Sequence, residues 1–188
     1  MKRTLCAISL IVTFLCSCLS TSTAPPANAP FTQLQSIREL TGVYRNLGES
    51  TENLAPVYLS QLIWPTDETL RHPDIQKVAV AELETGILEV KAMGDNKVVK
   101  VGNFVQNKDF ELEAGKIILA REAGVAGFKV GEPLVGPYHG RTELGIDTGG
   151  QGKYRRHFSV AGLVYLIVPI AASGSYDVRF VKLSGRED

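Results

Sequence analysis

Gln76-Lys-Val-Ala-Val-Ala-Glu-Leu-Glu84 runs across Thr85-Gly86 into Ile87-Leu-Glu-Val-Lys-Ala-Met93. That runs in turn across Gly94-Asp95-Asn96 into Lys97-Val-Val-Lys-Val-Gly-Asn-Phe-Val105. Val78 and Val80 alternate with their neighbours in the first segment. In the second, Leu88, Val90 and Ala92 alternate with Ile87, Glu89 and Lys91. A period of two belongs to a strand, and Gly, Asn and Asp between such runs belong to turns. The stretch therefore predicts strands joined by short turns.

The same pattern extends downstream. Residues 109–112 and 116–122 flank a turn at Glu113-Ala-Gly-Lys116. Residues 140–147 and 152–160 flank Thr148-Gly-Gly-Gln151, a hairpin signal. Residues 163–170 read as the most apolar strand, with Ala172-Ser-Gly-Ser175 as the turn into a strand over 176–183. The Gly-rich residues 123–136 read as a long loop. Upstream, 33–39 suit a helical turn and 40–47 a first strand. Apolar residues at 54, 58, 59, 62 and 63 have helical spacing, with Asn53 as N-cap, Pro56 in the first turn and Pro65 as the stop. The expected fold is mainly β: an antiparallel β-sandwich or barrel of about nine strands with one short helix. Helices do not alternate with strands, so a parallel α/β sheet is not expected.

The N-terminus carries a different message. Met1-Lys2-Arg3 is basic, an apolar run follows over 5–15, and Leu15-Cys-Ser-Cys18 closes it. An apolar run of about 11 residues is too short for a stable membrane-spanning helix, which needs about 20. The segment resembles a bacterial lipoprotein signal, with Leu15 at −3, Ser17 at −1 and Cys18 as the modified residue; Cys16 stands at −2. The resemblance implies cleavage after residue 17 and lipidation of Cys18 by diacylglycerol and an N-acyl group. Several acyl chains on one residue make attachment effectively permanent. Leu19 rather than Asp follows Cys18, so the expected location is the outer membrane of the cell envelope, facing the periplasm.

Three regions follow: 1–17 as signal peptide, 18–33 as lipidated cysteine and flexible tether, and 34–188 as a single β-rich domain. Residues 19–30 are small, polar and Pro-rich, a composition suited to a spacer. All three cysteines (Cys6, Cys16, Cys18) lie at or before residue 18, so the exported domain has neither disulfide nor cysteine chemistry. Removing 1–17 leaves 171 residues, enough for a core. It lowers the basic residues from 20 to 18 against 20 acidic ones, a net charge of −2. That balance gives no basis for nucleic-acid binding.

Motifs for catalysis are absent. His72, His139 and His157 have no metal-ligand spacing, and no Gly-x-Ser-x-Gly elbow or Ser-x-x-Lys occurs. No metal or cofactor is expected. The densest polar cluster is Tyr138-His-Gly-Arg-Thr-Glu143, whose Tyr138, His139 and Arg141 are the candidate ligand-binding residues; the alternative is a turn in which Arg141 pairs with a nearby acid. Gly42-Val43-Tyr44 resembles the Gly-x-aromatic opening of lipocalin-like barrels, which implies a closed antiparallel sheet. The functional expectation is a non-enzymatic envelope lipoprotein that binds an apolar ligand or an envelope partner. The alternatives are a structural subunit of an envelope complex and, third, a hydrolase assembled from loops.

Overall fold

The computed structural model describes residues 18–51, 55–126, 134–165 and 167–184. Residues 1–17, which hold most of the signal, and Asn53 lie outside the described residues. Eleven strands form two open sheets. The first contains β1 (Cys18–Thr23), β6 (Glu111–Glu113), β7 (Lys116–Ala126), β8 (Leu134–Ile146), β9 (Gly152–Val164) and β10 (Val168–Phe180), in the order β1-β10-β9-β8-β7-β6. The second contains β2 (Gly42–Arg45), β3 (Lys77–Glu84), β4 (Ile87–Gly94), β5 (Lys97–Val105) and β11 (Lys182–Ser184), in the order β11-β2-β3-β4-β5. The fold is a sandwich. Neither sheet closes, so the barrel that Gly42-Val43-Tyr44 implied does not form.

The chain divides into two compact units. The larger is built from 23–120, 142–156 and 176–188, the smaller from 1–22, 121–141 and 157–175, each through its described residues.

In the larger unit the two sheets share one core. Register sets Tyr44, Val78 and Ala92 side by side on one face of the second sheet, with Val80 and Val90 in the next row and Leu88 opposite Phe104. These meet Ile117, Ile146, Tyr154, Val178 and Phe180 of the first sheet. The alternation read from the sequence of β3 and β4 thus separates a buried row, Val78, Leu88, Val90 and Ala92, from its neighbours.

The one α-helix among the described residues, α1 (Leu59–Ile63), is shorter than its apolar spacing suggests. Residues 57 and 58 are drawn into extended pairing: Gly48 N–H donates to the Val57 carbonyl, and Leu47 bridges Tyr58. The helix begins only after them. Its N-terminus is held by Asn46, whose Oδ1 accepts the Ser60 N–H at 2.8 Å and whose carbonyl accepts the Leu59 N–H at 2.8 Å. A second turn, the 3-10 helix Ile37–Leu40, starts at Ser36 with a capping box: Ser36 accepts from the Arg38 N–H while Glu39 accepts the Ser36 N–H.

Two further expectations are corrected. The apolar run 163–170 is not one strand. It is divided between β9, which ends at Val164, and β10, and Val168–Phe180 continues straight through Ala172-Ser-Gly-Ser175. Gly174 serves close packing instead of a turn, because a Cβ there would stand 2.5 Å from the Phe158 ring. Residues 123–126 and 134–136 also belong to strands, and the rest of the expected long loop lies outside the described residues.

The segment expected as a tether is packed. Residues 18–23 form β1, Phe31 bridges Asp147, and Pro25 is buried. Residues 28–31 of it are held by Lys153, which is only 2% exposed. Its ammonium donates to Asn28 Oδ1, to the Ala29 carbonyl and to Asp177 Oδ2 at 2.9 Å. Three acceptors match the three N–H bonds of an ammonium. The Phe31 ring covers the same face, with Lys153 Nζ at 5.2 Å, Arg155 Cζ at 5.4 Å and Lys116 Nζ at 5.4 Å from its centroid. Arg155 completes the cluster by a two-pronged bond to Asp177 at 2.6 and 2.7 Å.

Burial alone would raise the Asp177 pKa, but the bonds from Arg155 and Lys153 and their charge outweigh it and hold the carboxyl below its ordinary value. A depressed carboxyl stabilises the native state above the unfolded value, near 3.8. That contribution fades as pH falls through the native value. Asp177→Asn is therefore expected to cost about 3–5 kcal/mol at neutral pH, because it strands a buried ammonium. Urea unfolding at pH 7 and at pH 2.5 checks this: the gap between variant and wild type should be large at the first pH and narrow at the second.

Candidate functional site

Beneath α1 the core of the larger unit does not close. A cavity of about 280 Å³ lies between the sheets. Leu62 and Ile63 come from α1, Leu88 and Val90 from β4, and Phe104 from β5. Ile117 and Leu119 come from β7, Leu144 and Ile146 from β8, and Phe180 from β10. A helix of five residues covers little of a sheet, and this one leaves the space open. Beyond the helix, Trp64 packs 6.0 Å from Phe104 and over Gly102, where a Cβ would meet the indole at 3.1 Å.

The polar groups of the lining are engaged. The Tyr44 hydroxyl donates to the Leu40 carbonyl at 2.7 Å, and burial pushes its pKa well above the ordinary range, so it stays protonated. Asp109 Oδ2 accepts the Val105 N–H at 2.8 Å. The walls therefore present an almost wholly apolar surface. An apolar cavity of about 150 Å³ holds a benzene-sized guest. This one has room for a larger ring system or part of an acyl chain.

The residues predicted from the sequence lie elsewhere, in the smaller unit on β8. Alternation along the strand separates them. Tyr138 lies over Gly124, where an added Cβ would stand 2.8 Å from its ring. His139 and Arg141 point to the opposite face and line a shallow recess with His157, Ser159, Ser173, Ser175, Ser20 and Ser22. The structure thus brings together His139 and Arg141, adds His157, and excludes Tyr138. Among the described residues no His, Cys, Asp and Glu side chains gather as a metal site. Cys18 opens β1, and its side chain lies outside the described set.

His72 has a partner that the sequence did not suggest. Its Nδ1 lies 3.0 Å from Ser60 Oγ, and its carbonyl accepts from Asn46 Nδ2 at 2.8 Å. Ser60 is fully buried, so its hydroxyl is not placed to attack a substrate. Asp74, two residues beyond His72, pairs with Arg71 at 3.3 Å. This cluster fixes the base of α1 and thereby one wall of the cavity.

Comparison with protein families, curated proteins and solved structures finds no match. The reading of the site rests on its own geometry.

Asn46→Ala removes the acceptor for Ser60 N–H and the donor to His72 and Ile75. Each buried group left unpaired costs about 1–3 kcal/mol. The variant should unfold at clearly lower urea, and Trp64, next to α1, should report a loosened helix by red-shifted fluorescence before global unfolding.

Proposed function

We propose that this chain is a lipid-anchored envelope protein that holds an apolar ligand without chemically transforming it. The observation that carries the reading is the 280 Å³ cavity with its apolar walls. Natural ligand sites are concave, mostly apolar and lie between packed elements. The anchor in this proposal is Cys18, acylated after removal of 1–17, and the compartment is the periplasmic side of the outer membrane.

A second reading draws on another observation. β5 ends its sheet, and Val99 and Val101 on it are about half exposed, at 52% and 47%. An apolar edge strand can add a strand from a partner. That favours an accessory subunit of an envelope complex. Lys97 and Lys100 on the same strand count against it, since charged side chains on an edge discourage pairing.

Two measurements test the leading proposal. N-phenyl-1-naphthylamine should brighten on binding the folded chain. Val90→Phe, which fills empty space, should weaken that binding at least tenfold while leaving urea unfolding within about 1.5 kcal/mol of wild type. Binding untouched by Val90→Phe would remove the cavity as the site. In cells, Cys18→Ala should abolish incorporation of labelled palmitate and release the protein from membranes. Persistent labelling would refute the anchor.

A further inference from the structure

We infer that the apex of the β9–β10 hairpin is a membrane-dipping element that enters the bilayer beside the Cys18 anchor. This rests on the proposed lipidation for its membrane, and on the smaller unit alone for its geometry.

The apex is apolar and exposed. Tyr165 is 74% exposed, Ile167 79% and Val168 52%. The eighteen residues from Ser159 to Tyr176 contain no charged side chain, and neither does the stretch from Leu134 to Tyr138. A water-facing hairpin is ordinarily turned by Gly, Asn or Asp. Here Tyr165 holds the left-handed position, at φ +50°. A backbone that Gly would adopt more easily instead presents a large amphipathic ring. Tyrosine suits the boundary between headgroups and acyl chains, where one end is apolar and the other wet.

The position of β1 says what covers this apex. Ser22 Oγ lies 3.2 Å from Ser175 Oγ, Thr21 Oγ1 stands where a Cβ on Gly174 would go, and Ser20 shares a recess with Ala171, Ala172 and Ser173. The two strands therefore advance together in the same direction. Carried back along β1, this register sets Cys18 beside Ala171. From there to Val168, at the foot of the apex, is three residues, about 10 Å of strand. Acyl chains on Cys18 and the side chains of Tyr165 and Ile167 would leave the same end of the unit. The reach also matches the depth of about 5–10 Å at which interfacial elements lie. Polar groups begin on the far side of Cys18, at His139, Ser159 and Ser173 and then at Arg141 and His157.

The test uses the chain from Cys18 onward, which has one cysteine and one tryptophan, Trp64. Cys18 is coupled to a maleimide phospholipid in phosphatidylcholine–phosphatidylglycerol vesicles, in an Ile167→Trp, Trp64→Phe variant. Ile167 is so exposed that its replacement should not disturb folding, and circular dichroism confirms that. The expected result is a blue-shifted emission on vesicles and at least twofold quenching by acyl-brominated phosphatidylcholine. Emission that stays at its aqueous wavelength and ignores bromine would overturn the inference. So would a blue shift already present in solution together with sedimentation as a dimer, since a second copy would then cover the apex. The coupling is chemical, so this outcome does not depend on whether cells acylate Cys18; palmitate labelling decides that separately.

Discussion

A buried ammonium is the constraint from which much of the larger unit follows. Lys153 has no water to bond, so each of its N–H groups must find an acceptor in the protein. Asp177 on the neighbouring strand supplies one, and Asn28 and Ala29 supply the others. Residues 28–31 are thereby pinned over the outer face of the sheet, where Phe31 shields the charges from solvent. Its ring lies against Gly145, where a Cβ would come within 3.1 Å, so the close approach needs glycine at that position. A Pro- and Ala-rich stretch with the composition of a spacer becomes part of the fold because one lysine requires it.

This changes what an anchor at Cys18 would do. A flexible spacer of about fifteen residues could span roughly 50 Å and would let the domain roam. Among the described residues no such slack follows Cys18, because strand β1 begins there. A lipid on that residue would hold its sheet directly at the bilayer surface. In such a setting an apolar end is covered by acyl chains, not exposed to water.

The sequence was legible where one rule decided the outcome. β3, β4 and β5 follow from alternation and Gly/Asn/Asp turns, and the hairpin at 148–151 from its glycines, with Asp147 Oδ1 accepting from Gly149 and Gln151 to close it. It was illegible where a distant partner decided. The start of α1 depends on Asn46, thirteen residues earlier, and the packing of residues 28–31 depends on Lys153. The turn at 165–167 has no Gly, Pro, Asn or Asp, whereas 172–175 has the residues of a turn and is strand. The separation of Tyr138 from His139 and Arg141 was within reach of alternation alone, since neighbours on a strand face opposite ways. The side chains lining the cavity could be listed from their pattern, but the empty space among them depends on how short α1 is.

Cavity and apex raise the same question, why apolar surface is left without a partner, and the answers differ. The cavity is interior. Its walls are held by Asn46, Ser60 and His72 at the base of α1 and by the paired rows of β4 and β5. If it holds a ligand as proposed, such a site would pay little reorganisation on binding, and its selectivity would come from volume and apolar walls. The apex is exterior: among the described residues of its unit, Tyr165, Ile167 and Val168 stand exposed. A protein held at a bilayer meets lipid at high effective concentration, as a linked pair of sites does. Apolar molecules dissolved in that bilayer are then the nearest supply for an apolar cavity. An apolar apex and an apolar cavity are separate features of this chain, and the proposed tether would bring both close to lipid, a condition that favours each.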